Sequence, residues 1–461
     1  MPSLIKSTTL AYLYIGVLLY IVLLLQIPDS RNYYTLVNIV QFVMYAMLLL
    51  WNIGRPEQYY TYGRLACLVF LFAIVGGIMY LNVSYYYAEN VYFWDYNDPW
   101  AYYLIDMQVI NKDIPFYEIL AYIETVAPPN WDYGDWGAPL SQSLILKIIP
   151  SKYFLYFSQT VLDTLGALML FDLCCKIMHR QYAYLAALAF STASFTLFYC
   201  VSFRKEIVMM FAIITSFWLF YRYVDKKRER FLILAFLVSL YVLLFRPAVA
   251  ALIWVSIFSY FLLDYWNRGK VFPIFFALLI AVGLSFSLIY ESVYYYTDGG
   301  DLSKNENYTD ATPFSILTST IGVLIGPFPQ LVQNGVGNFS QLPMYGNGLL
   351  FKYLLFMVFW SGFVLCLRNR VAKVLPLYVF CVLEMAGLAV VNDGLELRKA
   401  LPHIPTFYCA AFWFVSKYDN QKEDKGSEIV GYSVPYLKPT TVFYFLVIIV
   451  FASTLLWDTM R

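Results

Sequence analysis

Apolar runs about twenty residues long recur along this chain, parted by short polar breaks. They fall at 8–27, 34–53, 63–83, 153–176, 183–201, 206–224, 231–246, 247–266, 271–290, 348–367, 374–392, 401–417 and 440–457. A helix of roughly 20 apolar residues crosses the ~30 Å hydrocarbon core of a bilayer. The pattern predicts an all-α polytopic membrane protein in a single integral-membrane domain over 1–461, with about thirteen transmembrane helices, eleven at the fewest. Only Arg246-Pro247 divides the pair 231–246 and 247–266. No repeat of fixed period and no inverted halves are visible.

Two long stretches interrupt the alternation, 84–152 and 291–347, and a shorter polar one follows at 418–439. Within the first, 115–123 and 140–149 carry apolar residues at helical spacing, as does 313–331 in the second. Short helices lying in the membrane interface are expected there. Ile325-Gly-Pro-Phe-Pro329 and the glycines after it suit an irregular, dipping backbone.

Composition agrees with the pattern. Hydrophobic residues make up 61% of the chain and charged ones 13%, against roughly 25% charged in soluble proteins. Aromatic residues reach 20%, with 43 Tyr and 38 Phe, which suits side chains with one wet and one dry edge at the membrane surface. A net charge of +1 offers nucleic acid no electrostatic footing. The seven Cys show no CxxC pairing and mostly lie inside apolar runs, where they read as small hydrophobes. The first run is long and more spans follow it, so it reads as a span and not as a cleaved signal.

Charge sets the orientation. With the N-terminus and Lys6 in the cytoplasm, one side receives Arg55, Arg64, Lys176, Arg180, Arg222, Lys226, Lys227, Arg228, Arg230, Arg268, Lys270, Arg368, Arg370, Lys373, Lys417, Lys422, Lys425 and Lys438. The other side receives the two long, acid-rich loops. The first holds Asp95 and Asp98 among aromatic rings, in Asp95-Tyr-Asn-Asp98-Pro-Trp-Ala-Tyr-Tyr103. Three cationic groups break the rule and map to this same outer end: Arg204-Lys205-Glu206, Arg246, and Arg398-Lys399 with His403.

A charge at membrane depth costs roughly 2.5–3.5 kcal/mol on the insertion scale, and a partner or ligand usually offsets it. Convergent Arg and Lys suit a phosphate at headgroup level. A sugar on a polyprenyl phosphate has its tail in lipid and its phosphate at the interface. The candidate donor-phosphate residues are Arg204, Lys205, Arg246, Arg398, Lys399 and His403; Asp98 or Asp95 would take the proton of the attacking hydroxyl. Tyr103, Trp136 and Glu206 are candidate lining residues. No metal site is assigned, though Asp95 and Asp98 would be the ligands if Mg²⁺ or Mn²⁺ took part. Glu384 and Asp163 lie within spans, where each serves a site or glues helices. The sequons at Asn82, Asn307 and Asn338 lie at or in outer loops and decide nothing.

Three stretches resemble the GT-C superfamily of integral-membrane glycosyltransferases, which includes dolichyl-phosphate-mannose–protein mannosyltransferases and lipid A aminoarabinose transferases. They are Asp95 to Tyr103, Asp135-Trp-Gly-Ala-Pro-Leu140, and Leu397-Arg398-Lys399-Ala-Leu-Pro402-His-Ile-Pro405. The resemblance implies an inverting transfer from a polyprenyl-phosphate or -diphosphate sugar to a glycan, lipid or protein acceptor on the outer face. It makes Asp95 or Asp98 the base and Arg398 a phosphate contact. A bacterial inner membrane with a periplasmic site is implied, or the endoplasmic reticulum with a lumenal one. Three spans precede the acidic loop where the family has one, and Asp-x-x-Asp stands for its Asp-Glu. Arg204-Lys205-Glu206 with Arg246-Pro247 also resembles O-antigen and exopolysaccharide polymerases. A lipid-linked sugar transporter or flippase is the competing class; it would show midplane polar sites on broken helices.

Overall fold

A computed structural model describes residues 32–88, 98–128, 133–269, 347–390 and 400–423. All regular structure among them is helical. The helices are α1 (Asn32–Asn52), α2 (Tyr62–Ala88), α3 (Asp98–Asn111), α4 (Ile119–Val126), α5 (Gly137–Leu146), α6 (Lys152–Cys175), α7 (Arg180–Ser191), α8 (Ser194–Cys200), α9 (Glu206–Lys226), α10 (Glu229–Val242), α11 (Pro247–Asn267), α12 (Asn347–Arg368), α13 (Leu375–Val390) and α14 (Ile404–Glu423). Among the described residues, four helices are long and apolar enough to cross a membrane, or five if the bent pair α7 and α8 makes one span. Shorter apolar helices accompany them. The protein is thus an all-helical membrane protein.

The expected spans at 8–27, 271–290 and 440–457 lie outside the described residues, as does nearly all of the second long loop. The remaining apolar runs fall on helices, with three differences. Expected span 183–201 is broken: α7 and α8 meet at 54°, with Thr192 capping inward to the Leu188 carbonyl at 2.7 Å and Thr196 to the Phe190 carbonyl at 3.0 Å. Such side-chain bonds compete with the helical ladder and let it bend. Runs 231–246 and 247–266 are separate helices, because Pro247 cannot continue a helix but opens one readily. The run expected to end at 417 continues as helix to Glu423, tied there by Tyr182 to Asp419.

Every residue from Gln181 to Met210 is buried. The α7–α8 hairpin and the start of α9 therefore form the centre of the bundle, as an element apolar on all sides must. Helix α9 packs on α6 and α10, α11 on α13, and α12 and α7 on α14. The turns divide between two ends. At one end Arg180 Nε donates to the Tyr60 carbonyl at 2.8 Å, Tyr221 to the Lys373 carbonyl at 2.6 Å, and Asn267 to the Arg370 carbonyl at 3.1 Å. Asp172 gathers Tyr62 (3.0 Å), Trp218 (2.7 Å), Arg222 (3.6 Å) and Lys176 (3.8 Å) there. The described turns rich in Arg and Lys thus share one end.

The opposite end carries the first long loop, whose described residues are largely helical. Helices α3, α4 and α5 enclose a small core of Ile105, Val109, Ile119 and Ile123. Helix α4 spans part of the expected 115–123 element and α5 part of 140–149. Helix α3 is not among the expected elements; Pro99 falls in its first turn, where a missing N–H costs nothing. Buried Asp106 accepts from Ser143 at 2.7 Å, and exposed Asp113 pairs with Lys147 at 2.8 Å.

Candidate functional site

Near the end that carries the first loop, Glu384 and His403 form a contact pair, with Lys352 and Arg246 within electrostatic range of Glu384. Arg246 caps the start of α11. Lys352 lies five residues into α12, Glu384 on α13, and His403 in the 3₁₀ turn Leu401–His403 before α14. Their local geometry follows from the sequence: Pro402 and Pro405 shape the turn that presents His403, and Pro247 fixes the corner that presents Arg246.

Glu384 Oε2 lies 3.0 Å from His403 Nδ1. Arg246 and Lys352 are both within electrostatic reach of Glu384. Lys352 and His403 are wholly buried and Glu384 is 4% exposed. Lys352 Nζ, Glu384 Oε1 and His403 Nε2 each lack a hydrogen-bond partner among the described residues. The Lys352 ammonium sits 5.8 Å from the centre of the Phe407 ring, which stacks on Phe359 at 4.6 Å. Cys381 Sγ is 3.2 Å from Thr406 Oγ1 beside them.

Lys205 lies at the same end in a different role. Its ammonium donates to the Gly134 carbonyl (3.2 Å), Asp135 Oδ1 (2.7 Å) and the Phe245 carbonyl (3.1 Å). Three donors meet three protein acceptors, leaving none for a phosphate. It binds the first loop to the corner that carries Arg246. Gly137 N donates to the Leu244 carbonyl at 2.6 Å, closing the same seam. Arg204 and Glu206 are buried beside Lys205, Glu206 in the first turn of α9 where the helix dipole favours an acid.

Of the other expected residues, Tyr103 packs its ring on Phe203 at 5.5 Å and Trp100 at 5.7 Å. Trp136 Nε1 is buried without a hydrogen-bond partner among the described residues. Asp95, Arg398 and Lys399 lie outside the described residues, and of Asp98 only the backbone is described. Among the described residues, no three His, Cys, Asp or Glu side chains gather as a metal would require.

So the structure brings together Arg246 and His403 from the expected set, with Glu384, which the sequence marked only as an acid within a span. Lys352 was missed. Its signal is plain in retrospect: a lone Lys in the apolar Leu349-Leu-Phe-Lys352-Tyr-Leu-Leu, and an ionisable residue within a span marks a site by default. No protein-family model matches the chain, and no curated protein matches it.

Proposed function

We propose that this chain is a membrane glycosyltransferase that moves a sugar, with inversion, from a polyprenyl-phosphate or -diphosphate donor to an acceptor at the end opposite the basic turns. One observation carries the reading: half-buried Arg246 and buried Lys352 both lie within electrostatic reach of the buried Glu384–His403 pair, and Lys352 Nζ, Glu384 Oε1 and His403 Nε2 lack hydrogen-bond partners among the described residues. A phosphate between the two cations would occupy them.

The chemistry then runs on this chain's own groups. The acceptor O–H loses its proton to Asp95 or Asp98, and its oxygen forms a bond to the anomeric carbon. The sugar–phosphate C–O bond breaks, and the electron pair stays on the phosphate oxygen. Arg246 and Lys352, with Arg398 and Lys399 just before the His403 turn, stabilise that charge in a water-poor setting. Lys205 acts at a distance, by fixing the loop against the corner that carries Arg246. The finer picture is the one the sequence suggests: about thirteen spans, an N-terminus with the basic end in the cytoplasm, a GT-C architecture, and a bacterial inner-membrane or reticulum location.

The test is transfer from a radiolabelled polyprenyl-phosphate sugar by the reconstituted full chain, with no energy source. Lys352→Met and Arg246→Gln are expected to lower transfer about 10²-fold or more, the scale of a lost transition-state donor. Full transfer by both variants would sink the reading.

A second reading has its own support. Asp163, whose Oδ2 is buried without a hydrogen-bond partner among the described residues, lines a small cavity with Phe190, next to the 54° break between α7 and α8. A polar group at a broken helix is a transporter device. Passage of the labelled donor across the bilayer with no sugar released would favour it.

A further inference from the structure

At the basic end, Arg55 follows α1 and Arg64 lies in the first turn of α2. Both guanidinium groups stand over the same two rings. Arg64 is 4.7 Å from the Trp51 ring centre and 5.1 Å from that of Tyr59; Arg55 is 5.6 and 6.0 Å away. Arg55 Nε is held by the Trp51 carbonyl at 2.8 Å. Neither has a carboxylate at ion-pair distance among the described residues, although Glu57 lies in the turn between them. Two like charges are thus held over the same aromatic faces with no carboxylate at ion-pair distance among the described residues, an arrangement that favours an anion.

The surfaces below this pair are apolar. Val43, Met47 and Trp51 are spaced by fours on α1 and exposed at 46%, 64% and 52%, so they form one stripe leading up to Arg55. On α2, Leu71, Val75 and Ile78 are exposed at 59%, 42% and 54% and run down the same helix from Arg64. From Arg64 to Ile78 is about 21 Å at 1.5 Å per residue. One leaflet of hydrocarbon is about half of ~30 Å deep, so each stripe is long enough for an acyl chain.

We propose that the α1–α2 edge seats one anionic phospholipid, its phosphate on the Arg55–Arg64 pair and its two chains along the two stripes. Charge complementarity selects the anionic headgroup. The stripes require a lipid where free phosphate would supply only the head. The site stands apart from the Lys352–Glu384–His403 cluster and does not depend on sugar transfer.

The full chain, purified in mild detergent, would be titrated with phosphatidylglycerol, phosphatidylcholine or inorganic phosphate. Native mass spectrometry would count the bound lipid, and a thermal shift would follow stability. One phosphatidylglycerol per chain is expected, with stabilisation that neither phosphatidylcholine nor phosphate reproduces. With about 1 kcal/mol per basic residue, R55Q/R64Q should weaken retention about tenfold or more. K226Q/R230Q, at the same end but away from the rings, should leave it unchanged. If R55Q/R64Q melts early and cannot be read, R55K/R64K takes its place; it keeps the charge and loses the planar stacking, and should weaken retention. Wild-type retention in the Arg variants would overturn the proposal. So would equal loss in K226Q/R230Q, an equal effect of phosphate alone, or a segment of this chain crosslinked across Met47 and Leu71.

Discussion

Asp106 and Asp113 are seven residues apart and titrate in opposite senses. Burial between α3 and α5 pushes the Asp106 carboxyl well above the usual carboxylate range, only partly offset by the Ser143 hydroxyl. Its folded form holds a proton that the unfolded chain releases near pH 4. Its contribution is complete below that pH and is lost as pH rises through the folded value. Lys147 holds exposed Asp113 below its ordinary value. That contribution is present above the unfolded value and lost as pH falls. Asp106→Asn keeps an oxygen for Ser143, so its melting temperature should no longer fall as pH rises from 4 to 8. Asp113→Asn should instead remove stability only at the upper end. Intrinsic fluorescence melts of the detergent-solubilised chain read both, and a wild-type slope in Asp106→Asn would refute the assignment. The sequence showed nine acids in this loop without saying which one is buried. Burial of Asp106 depends on α5 folding back across α3, a contact between residues 37 apart. The same holds at the charged cluster. Arg246 and His403 stood out because they broke the charge rule, whereas Lys352 and Glu384 acquire meaning only once α12 and α13 are adjacent.

Elements show the same division between local and distant causes. Apolar runs announced most of the helices, since period and length are local properties. The break in α7–α8 was not legible: its bend comes from Thr192 and Thr196 turning back to carbonyls inside an otherwise apolar run. Helix α14 outran its apolar stretch because Tyr182 holds Asp419 from another helix. Gly137 tests the seam between α5 and the α10–α11 corner. A Cβ there would stand 2.7 Å from the Leu244 carbonyl oxygen and 2.9 Å from its carbon, and backbone cannot swing aside. Gly137→Ala should cost about 1–3 kcal/mol, read as a lower melting temperature, and should raise protease cleavage in the first loop. An unchanged melt and cleavage pattern would mean that the seam opens without cost.

At the scale of the molecule, the described turns richest in Arg and Lys share one end. Asp172 draws Tyr62, Trp218, Arg222 and Lys176 into one knot joining α2, α6 and α9, while the acid-rich first loop caps the other end. The placement of these basic turns along the chain could be read directly, because Lys and Arg counts need no tertiary contact; which side of a membrane each end faces is the expectation that follows. It makes a prediction for the intact membrane protein. In sealed vesicles of one orientation, with Cys67 replaced by Ser, an impermeant maleimide should label Ser303→Cys and Ser427→Cys from opposite sides. Labelling of both from one side would overturn the orientation.

The three bonds of Lys205 have a kinetic consequence. One ammonium fastens the first loop to the Phe245 corner, so the two halves of that rim cannot separate piecemeal. Parting the loop from that corner requires breaking either the Phe245 bond or the two bonds to Gly134 and Asp135, together with the bond from Gly137 N to the Leu244 carbonyl. Cutting the latch with Lys205→Met should therefore loosen this rim, read as faster hydrogen exchange at Gly134 and Asp135.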